Sequence, residues 1–203
     1  MPFKKLHSNI KEMLTSLEIV APTPFQSASI PVIKSGANIF CTAPKGSGKT
    51  TTLVLTTLQK LKCEAVGNAP RAIVLGENTE RVLELEEAFS SLTKYNSLRV
   101  YLGNEREHID VLKSEIFEGV DILICTPKTL HKLLLLEGLN TTQLKIFSID
   151  DADFLAEKTS YAALMSIVPS IQKSQFVIYS EKMSPTLKRF ETSFMEYSKK
   201  VIM

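Results

Sequence analysis

The chain has no tryptophan, only three cysteines and only eight glycines among its 203 residues. Each scarcity excludes something. Cys41, Cys63 and Cys125 stand far apart, with no CxxC pair and no Cys/His spacing of a metal centre, so neither a disulfide framework nor a zinc module is encoded. They read as buried, reduced thiols, and a reducing cytoplasm is the expected compartment. An excess of one charge is also missing. Lys+Arg number 24 against 22 Asp+Glu, a net +2, so there is no global basic face for nucleic acid, and any such contact must rest on local residues. Apolar runs such as Leu133 to Leu136 are far too short for a bilayer, and Met1 to Ile10 has no signal-peptide core. No membrane partner is expected. Repeats, low-complexity stretches and Pro/Gly-rich linkers are absent as well. With 44% hydrophobic residues there is ample core for one domain.

What is present is an alternation of two patterns. Continuous apolar runs predict strands at Ile39–Thr42, Ala72–Leu75, Leu98–Leu102, Asp121–Cys125, Lys145–Ile149, Gln175–Tyr179 and Lys200–Met203. Continuous rather than alternating hydrophobicity marks parallel strands buried on both faces. Helical periodicity lies between them. Thr51–Leu61 is one helix. Asn78 caps a second that runs to Leu92, with Val82, Leu83, Leu85 and Phe89 inward. Lys128–Glu137 is a third, ended by Gly138, within a Leu-rich Leu130–Leu139 segment expected to face the core. Ser184-Pro185 starts a fourth that reaches Tyr197. The fold class is therefore α/β, with a mostly parallel central sheet flanked by helices.

Between the first strand and its helix stands Ala43-Pro44-Lys45-Gly46-Ser47-Gly48-Lys49-Thr50. Strand, glycine loop, GKT and helix is the setting of a phosphate-binding loop. Gly46 and Gly48 let the backbone N–H groups turn inward, Ser47 lies between them, and the helix adds its positive dipole end. Lys49 is expected to reach the β/γ-phosphates and the Thr50 hydroxyl to ligate Mg²⁺. The plain pattern has glycine where this chain has Ala43. Such a loop needs a carboxylate partner. Phe147-Ser148-Ile149-Asp150-Asp151-Ala152-Asp153 places acids at the end of an apolar strand, the sheet edge where ligands of open α/β folds bind. Asp150 is the candidate for the Mg²⁺ shell, and Asp151 for orienting or deprotonating water.

These elements resemble, in order and over nearly the whole chain, the first RecA-like domain of DEAD-box RNA helicases. Phe3 to Gln26 resembles the family's Q motif, Ala43–Thr50 its motif I (where alanine in first place is normal), and Gly103 its GG element. Thr126-Pro127-Lys128-Thr129 resembles TPGR, Asp150–Asp153 stands where DEAD stands, and Ser180-Glu181-Lys182 where SAT stands. The resemblance implies a single P-loop domain over 1–203, with a Q-motif region at 1–36 and the P-loop core at 37–203. It implies ATP and Mg²⁺ as cofactors, and RNA, single-stranded or duplex, as a partner. Gln26 is expected at the adenine edge, and Asp153 with Ser180 in a contact that couples ATP to RNA.

The departures qualify that expectation. The aromatic that stacks on the base is replaced by Ile19, which forgoes a stacking term of about 1–3 kcal/mol. The Glu of DEAD is Asp151, one methylene shorter, so slow hydrolysis is expected. The family's PTRELA becomes Glu77-Asn78-Thr79-Glu80-Arg81-Val82, with Thr79 in place of a phosphate-contacting Arg. TPGR loses its Arg to Thr129, and Asn104 replaces the second Gly of GG. The remaining candidates for nucleic acid are Thr79, Arg81, Gly103, Thr126 and Lys128. Nothing in the chain resembles the second RecA-like domain with its arginine fingers, so the expectation is either a fragment of a longer helicase or a free-standing single-domain relative with a partner protein that supplies that domain. The reading from another class is a degenerate RecA-like module whose nucleotide site controls binding to a protein. A small-molecule kinase shares the loop but not the ordered later elements. His7, His108 and His131 read as surface or boundary residues, Glu105-Arg106-Glu107 as a solvated helix start, and Tyr101 and Tyr179 as core.

Overall fold

The computed structural model of the chain describes residues 2–94 and 96–203. Seven strands, β1 (Ile39–Thr42), β2 (Ala72–Leu75), β3 (Val100–Gly103), β4 (Ile122–Cys125), β5 (Ile146–Ile149), β6 (Gln175–Ser180) and β7 (Lys199–Ile202), form one sheet. Their order is β3-β4-β2-β5-β6-β1-β7, and each neighbouring pair is parallel. Parallel neighbours require crossovers, and helices supply them. α1 (Ser8–Ser16) and α2 (Pro24–Lys34) precede β1, and the crossovers run through α3 (Lys49–Leu61), α4 (Thr79–Thr93), α5 (Ile109–Gly119), α6 (Pro127–Leu135), α7 (Lys158–Ile167) and α8 (Pro185–Phe190).

Alternate strand residues feed two cores. Ile39, Cys41, Val74, Ile124 and Val177 pack with Ile10, Phe25, Leu53, Leu85 and Phe89 on the α1–α4 face. Phe40, Ile73, Leu123, Phe147 and Ile178 pack with Leu112, Leu130, Leu164 and Leu187 on the α5–α8 face. Each such side chain contributes about 1.5–3 kcal/mol on burial. Coverage of both faces is why β1, β2, β4 and β5 are buried at every residue. β7 differs. It lies at the sheet edge beyond β1, and Lys199, Lys200 and Ile202 are exposed.

Several boundaries depart from expectation. The third strand begins at Val100, because Leu98 and Arg99 lead into it from the loop. The helix expected to reach Tyr197 ends at Phe190. The chain then turns to bring Phe194 against Phe176 and Phe190, and Tyr197 takes a φ of 58°. In α4 the buried face is Val82, Leu85, Phe89 and Leu92, and Leu83 is exposed because it sits about 100° round the helix from Val82. In the Leu-rich segment α6 stops at Leu135, which is exposed, and Glu137 rather than Gly138 takes the left-handed turn. The helix start expected at Glu105-Arg106-Glu107 is a turn, and α5 begins at Ile109 with His108 as its cap; α1, α2 and α7 are further helices beyond the four expected.

The cysteines are free and buried. No helix among the described residues is long and apolar enough to cross a membrane.

Candidate functional site

The carboxyl edge of the sheet gathers the loop after β1, the start of α4 after β2, and the acids after β5. In the loop, Gly46 and Gly48 have φ of 76° and 92°, the left-handed region that suits glycine. Gly48 has a second constraint. A Cβ there would lie 2.7 Å from Gln26 Nε2. Side chains cap the starts of α2, α4, α5, α6 and α8, whereas α3, with Gly48 as its N-cap, has no side-chain cap, like α1 and α7. Its first N–H groups have no intrahelical carbonyl, and the helix dipole adds positive potential at the same place. They face a cleft of about 650 Å³ lined by the loop, Asn78, Glu80, Arg81, Glu84 and Asp151.

The cationic and acidic groups meet across this cleft. Lys49 is buried, and its Nζ donates to the carbonyls of Ala43 at 2.7 Å and Pro44 at 3.2 Å. It also lies 3.6 Å from Asp151 Oδ1. Asp151 follows β5 by two residues and has φ of 44°, a turn that bends its carboxylate back toward the loop. Asp150 is wholly buried. Arg81 reaches it from the first turn of α4, where the Asn78 side chain accepts from the Arg81 N–H at 2.9 Å. Arg81 Nε donates to Asp150 Oδ2 at 2.6 Å, Nη2 to Thr50 Oγ1 at 2.8 Å, and Nη1 to the Glu84 carboxylate. Asp150 Oδ1 is buried and has no hydrogen-bond partner among the described residues. Burial pushes the Asp150 carboxyl up to about 6. Arg81 opposes the shift and the neighbouring Asp151 charge adds to it. Burial alone would lower the Arg81 guanidinium, but Asp150 and Glu84 more than offset that and hold it above its ordinary range.

Two expectations are corrected here. Arg81 is not an outward phosphate contact for nucleic acid. It is turned into the cleft, because two acids and a hydroxyl converge on its planar fork. Thr50 and Asp150 do converge, as a Mg²⁺ site requires, but the Arg81 guanidinium lies between them. An octahedral Mg²⁺ with its retained waters does not fit beside it. As these side chains stand, they do not form a site for that ion.

The Q-motif region docks onto the back of the loop. The Thr23 hydroxyl donates to Ser47 O at 2.7 Å and accepts from Gln26 N–H at 3.1 Å. The Gln26 carboxamide accepts from Thr23 N–H at 3.0 Å and donates to Gly48 O at 3.5 Å. Gln26 is 4% exposed, so an adenine contact by this amide is not preformed. Ile19 is half-buried against the core. The signal for α2 was present in the sequence. Thr23-x-x-Gln26 with Pro24 between them is a capping box with proline at the first helical position.

On the coupling side, the Ser180 hydroxyl lies 3.2 Å from Thr42 Oγ1, and Asp153 accepts instead from the Glu181 N–H at 2.8 Å. The expected Ser180–Asp153 contact is thus replaced by its backbone neighbour. Both Ser47 Oγ and Asp153 Oδ1 are buried without a partner among the described residues.

The edge expected to meet nucleic acid carries a residue that the sequence reading set aside. Glu105 accepts from the Thr126 hydroxyl and lies 3.8 Å from Lys128 Nζ. Thr126 is buried and caps α6 by accepting from Thr129 N–H at 3.3 Å. Gly103 is also buried, and a Cβ there would lie 3.1 Å from the Cys125 Cβ, so the position packs closely on β4. Thr79 opens α4 and is half-buried. Of the five candidates, Lys128 alone is well exposed, and a carboxylate already stands beside it. Nothing in Glu105-Arg106-Glu107 as a string indicated this, since the partner is 21 residues on.

Comparison with known proteins gives a consistent result. A family model described as DEAD/DEAH box helicase matches residues 23–190. ATP-dependent RNA helicase DeaD of Buchnera aphidicola subsp. Schizaphis graminum is 29% identical over 199 residues, covering 96% of this chain and 32% of that protein. Among solved structures, a DEAD box protein from the hyperthermophile Methanococcus jannaschii superposes with a TM-score of 0.88 at 21% identity, over 97% of this chain and 54% of that one. An S. cerevisiae Dbp5 variant bound to RNA and ADP BeF3 superposes with a TM-score of 0.84 at 17% identity, over 98% of this chain and 50% of that one. At such identities the structural likeness speaks for the fold, which is the RecA-like one. The chain spans about a third of the curated relative and about half of each solved chain.

Proposed function

The chain belongs to the DEAD/DEAH box helicase family, and on that footing we propose that it is an ATP-binding domain that hydrolyses the nucleotide slowly and touches RNA weakly. The observation that carries the reading is the uncapped start of α3, which faces a cleft of about 650 Å³ with Lys49 and Asp151 across it at 3.6 Å. Backbone N–H groups, a helix dipole and an ammonium group together favour a polyphosphate. Slow turnover by these residues alone follows from Asp151, whose short side chain is held toward Lys49. Arginine fingers, a contribution of roughly 10³–10⁵-fold in phosphoryl transfer, would come from a second RecA-like domain, in the same protein or in a partner. Mg²⁺, which the resemblance pairs with ATP, is not part of this reading, because Arg81 fills its place. The three unpaired, buried cysteines are in keeping with the cytoplasm.

A second reading has an observation of its own. Glu105 neutralises Lys128 and occupies Thr126 at the edge where phosphates of RNA would lie. That favours a nucleotide-dependent module for a protein partner, without helicase activity.

Calorimetric titration with ATP, with GTP as control, on wild type and Lys49→Ala tests the first reading. Binding that weakens by about tenfold or more in the variant is expected, about 1.4 kcal/mol, and equal binding by both proteins sinks it. The same wild-type protein titrated with single-stranded RNA between about 50 and 200 mM salt separates the two readings. Affinity that falls with salt keeps RNA. A flat, millimolar response leaves the protein-binding module.

A further inference from the structure

Given a nucleotide in the cleft, as in the reading just proposed, we propose that the Arg81 guanidinium stands in for a divalent cation between Thr50 and Asp150, so that the site takes a nucleoside polyphosphate as the free anion, without Mg²⁺. A metal in such a site joins a loop hydroxyl to a strand-end carboxylate and offers its remaining positions to phosphate oxygens. Arg81 makes the same connection. Its Nη2 lies 2.8 Å from Thr50 Oγ1 and 2.5 Å from Asp150 Oδ2. Its planar fork has five donors. Asp150 takes two, Thr50 one and Glu84 one, which leaves one Nη1 proton for a phosphate oxygen at the cleft wall, where Arg81 is a lining residue.

The guanidinium is fixed rather than passing through. Asn78 holds its backbone N–H, Glu84 holds Nη1 from one turn further along α4, and only 24% of the side chain is exposed. Charge supports the same conclusion. Lys49 and Arg81 balance Asp150 and Asp151 at the inner end of the cleft, so the end beside the loop carries no net negative charge, while Glu77, Glu80 and Glu84 outnumber Lys45 over the rest of the lining. Without Arg81 one cation would face two carboxylates, and a divalent ion would be needed to admit an anion. Glu84 is 61% exposed at the rim, where water screens it.

The test is calorimetric titration of the whole chain with ATP, once in EDTA and once in excess MgCl₂, on wild type, Arg81→Leu and Arg81→Lys. Wild-type affinities in the two conditions are expected to agree within about threefold, and Arg81→Leu to lose about tenfold or more in EDTA and recover it with Mg²⁺. Arg81→Lys keeps the charge without the fork and is expected between the two. Wild-type binding that needs Mg²⁺ overturns the inference and leaves the nucleotide reading standing. No ATP binding by wild type in either condition overturns both. The wild-type comparison needs no variant, so a variant that misfolds does not blunt it.

Discussion

Asp121 and Asp150 are both wholly buried, both face arginine, and lie at opposite ends of the same sheet. Asp121 immediately precedes β4. Its Oδ1 accepts from Arg71 Nη2 at 2.7 Å and Val66 N–H at 3.1 Å, and its Oδ2 from Arg99 Nε at 2.8 Å and Arg99 N–H at 3.1 Å. Arg71 and Arg99 immediately precede β2 and β3, so one carboxylate ties the entries of three adjacent strands. Burial pushes the Asp121 carboxyl up, but the hydrogen bonds from Arg99 and Arg71 more than offset it and hold it low. Asp150 immediately follows β5. It has one arginine, one oxygen without a partner among the described residues, and a carboxyl pushed up to about 6. A saturated acid fastens the fold. An unsaturated one, held by Arg81 just behind the cleft wall, is spare capacity for binding or chemistry.

The contrast can be broken by mutation, beginning with the largest effect. Asp121→Ala strands Arg71, which is 3% exposed, as a buried cation without its partner, and stability should fall by about 3–5 kcal/mol in urea denaturation. A loss under about 1 kcal/mol would show that the cluster does not fasten the strands.

The two acids should also answer pH with opposite signs. The Asp121 carboxyl is lower in the folded state than its unfolded value of about 4, so its stabilisation is present above that pH and fades in stronger acid. The Asp150 carboxyl is higher, so its stabilisation is complete below about 4 and is lost as pH rises through about 6. Two units correspond to about 3 kcal/mol. Between pH 4 and 7 wild type should lose roughly that much stability relative to Asp150→Asn, read as the difference between their urea midpoints across the range. A constant difference would contradict a raised carboxyl at Asp150.

The smallest effect sharpens the functional end. Asp151→Glu lengthens the acid that faces Lys49, and phosphate release should rise by up to roughly 100-fold with little change in stability. An unchanged rate would mean that acid reach is not what limits turnover.

The fold was legible where one strand reports on itself. Ile39–Thr42 and Ala72–Leu75 are β1 and β2 as expected, because burial on both faces leaves a continuous apolar run in the string. The single α/β sheet followed from those runs. Helices were harder. α1, α5 and α7 bury only two or three residues each, too few to make a period stand out. The loop residues Gly46, Gly48, Lys49 and Thr50 were legible because strand, glycines and helix lie consecutively in sequence. Arg81 was not. Its face of α4 reads as ordinary amphipathic helix, while Asp150, 69 residues on, and Thr50, 31 residues back, decide where its side chain goes. Glu105 was missed for the same reason. A string shows which residues are charged and leaves open which charges meet.

The sheet's last strand has a consequence for the molecule in company. β7 turns one row of backbone amides and carbonyls outward, a ready template for another copy's strand. Lys199 and Lys200 stand exposed along that margin beside Val201 and Ile202. Two copies meeting there would bring the Lys199 ammonium groups into a low-dielectric seam and bury the Lys200–Glu191 ion pair with them. One solvated lysine and one ion pair thus act as a guard against uncontrolled stacking.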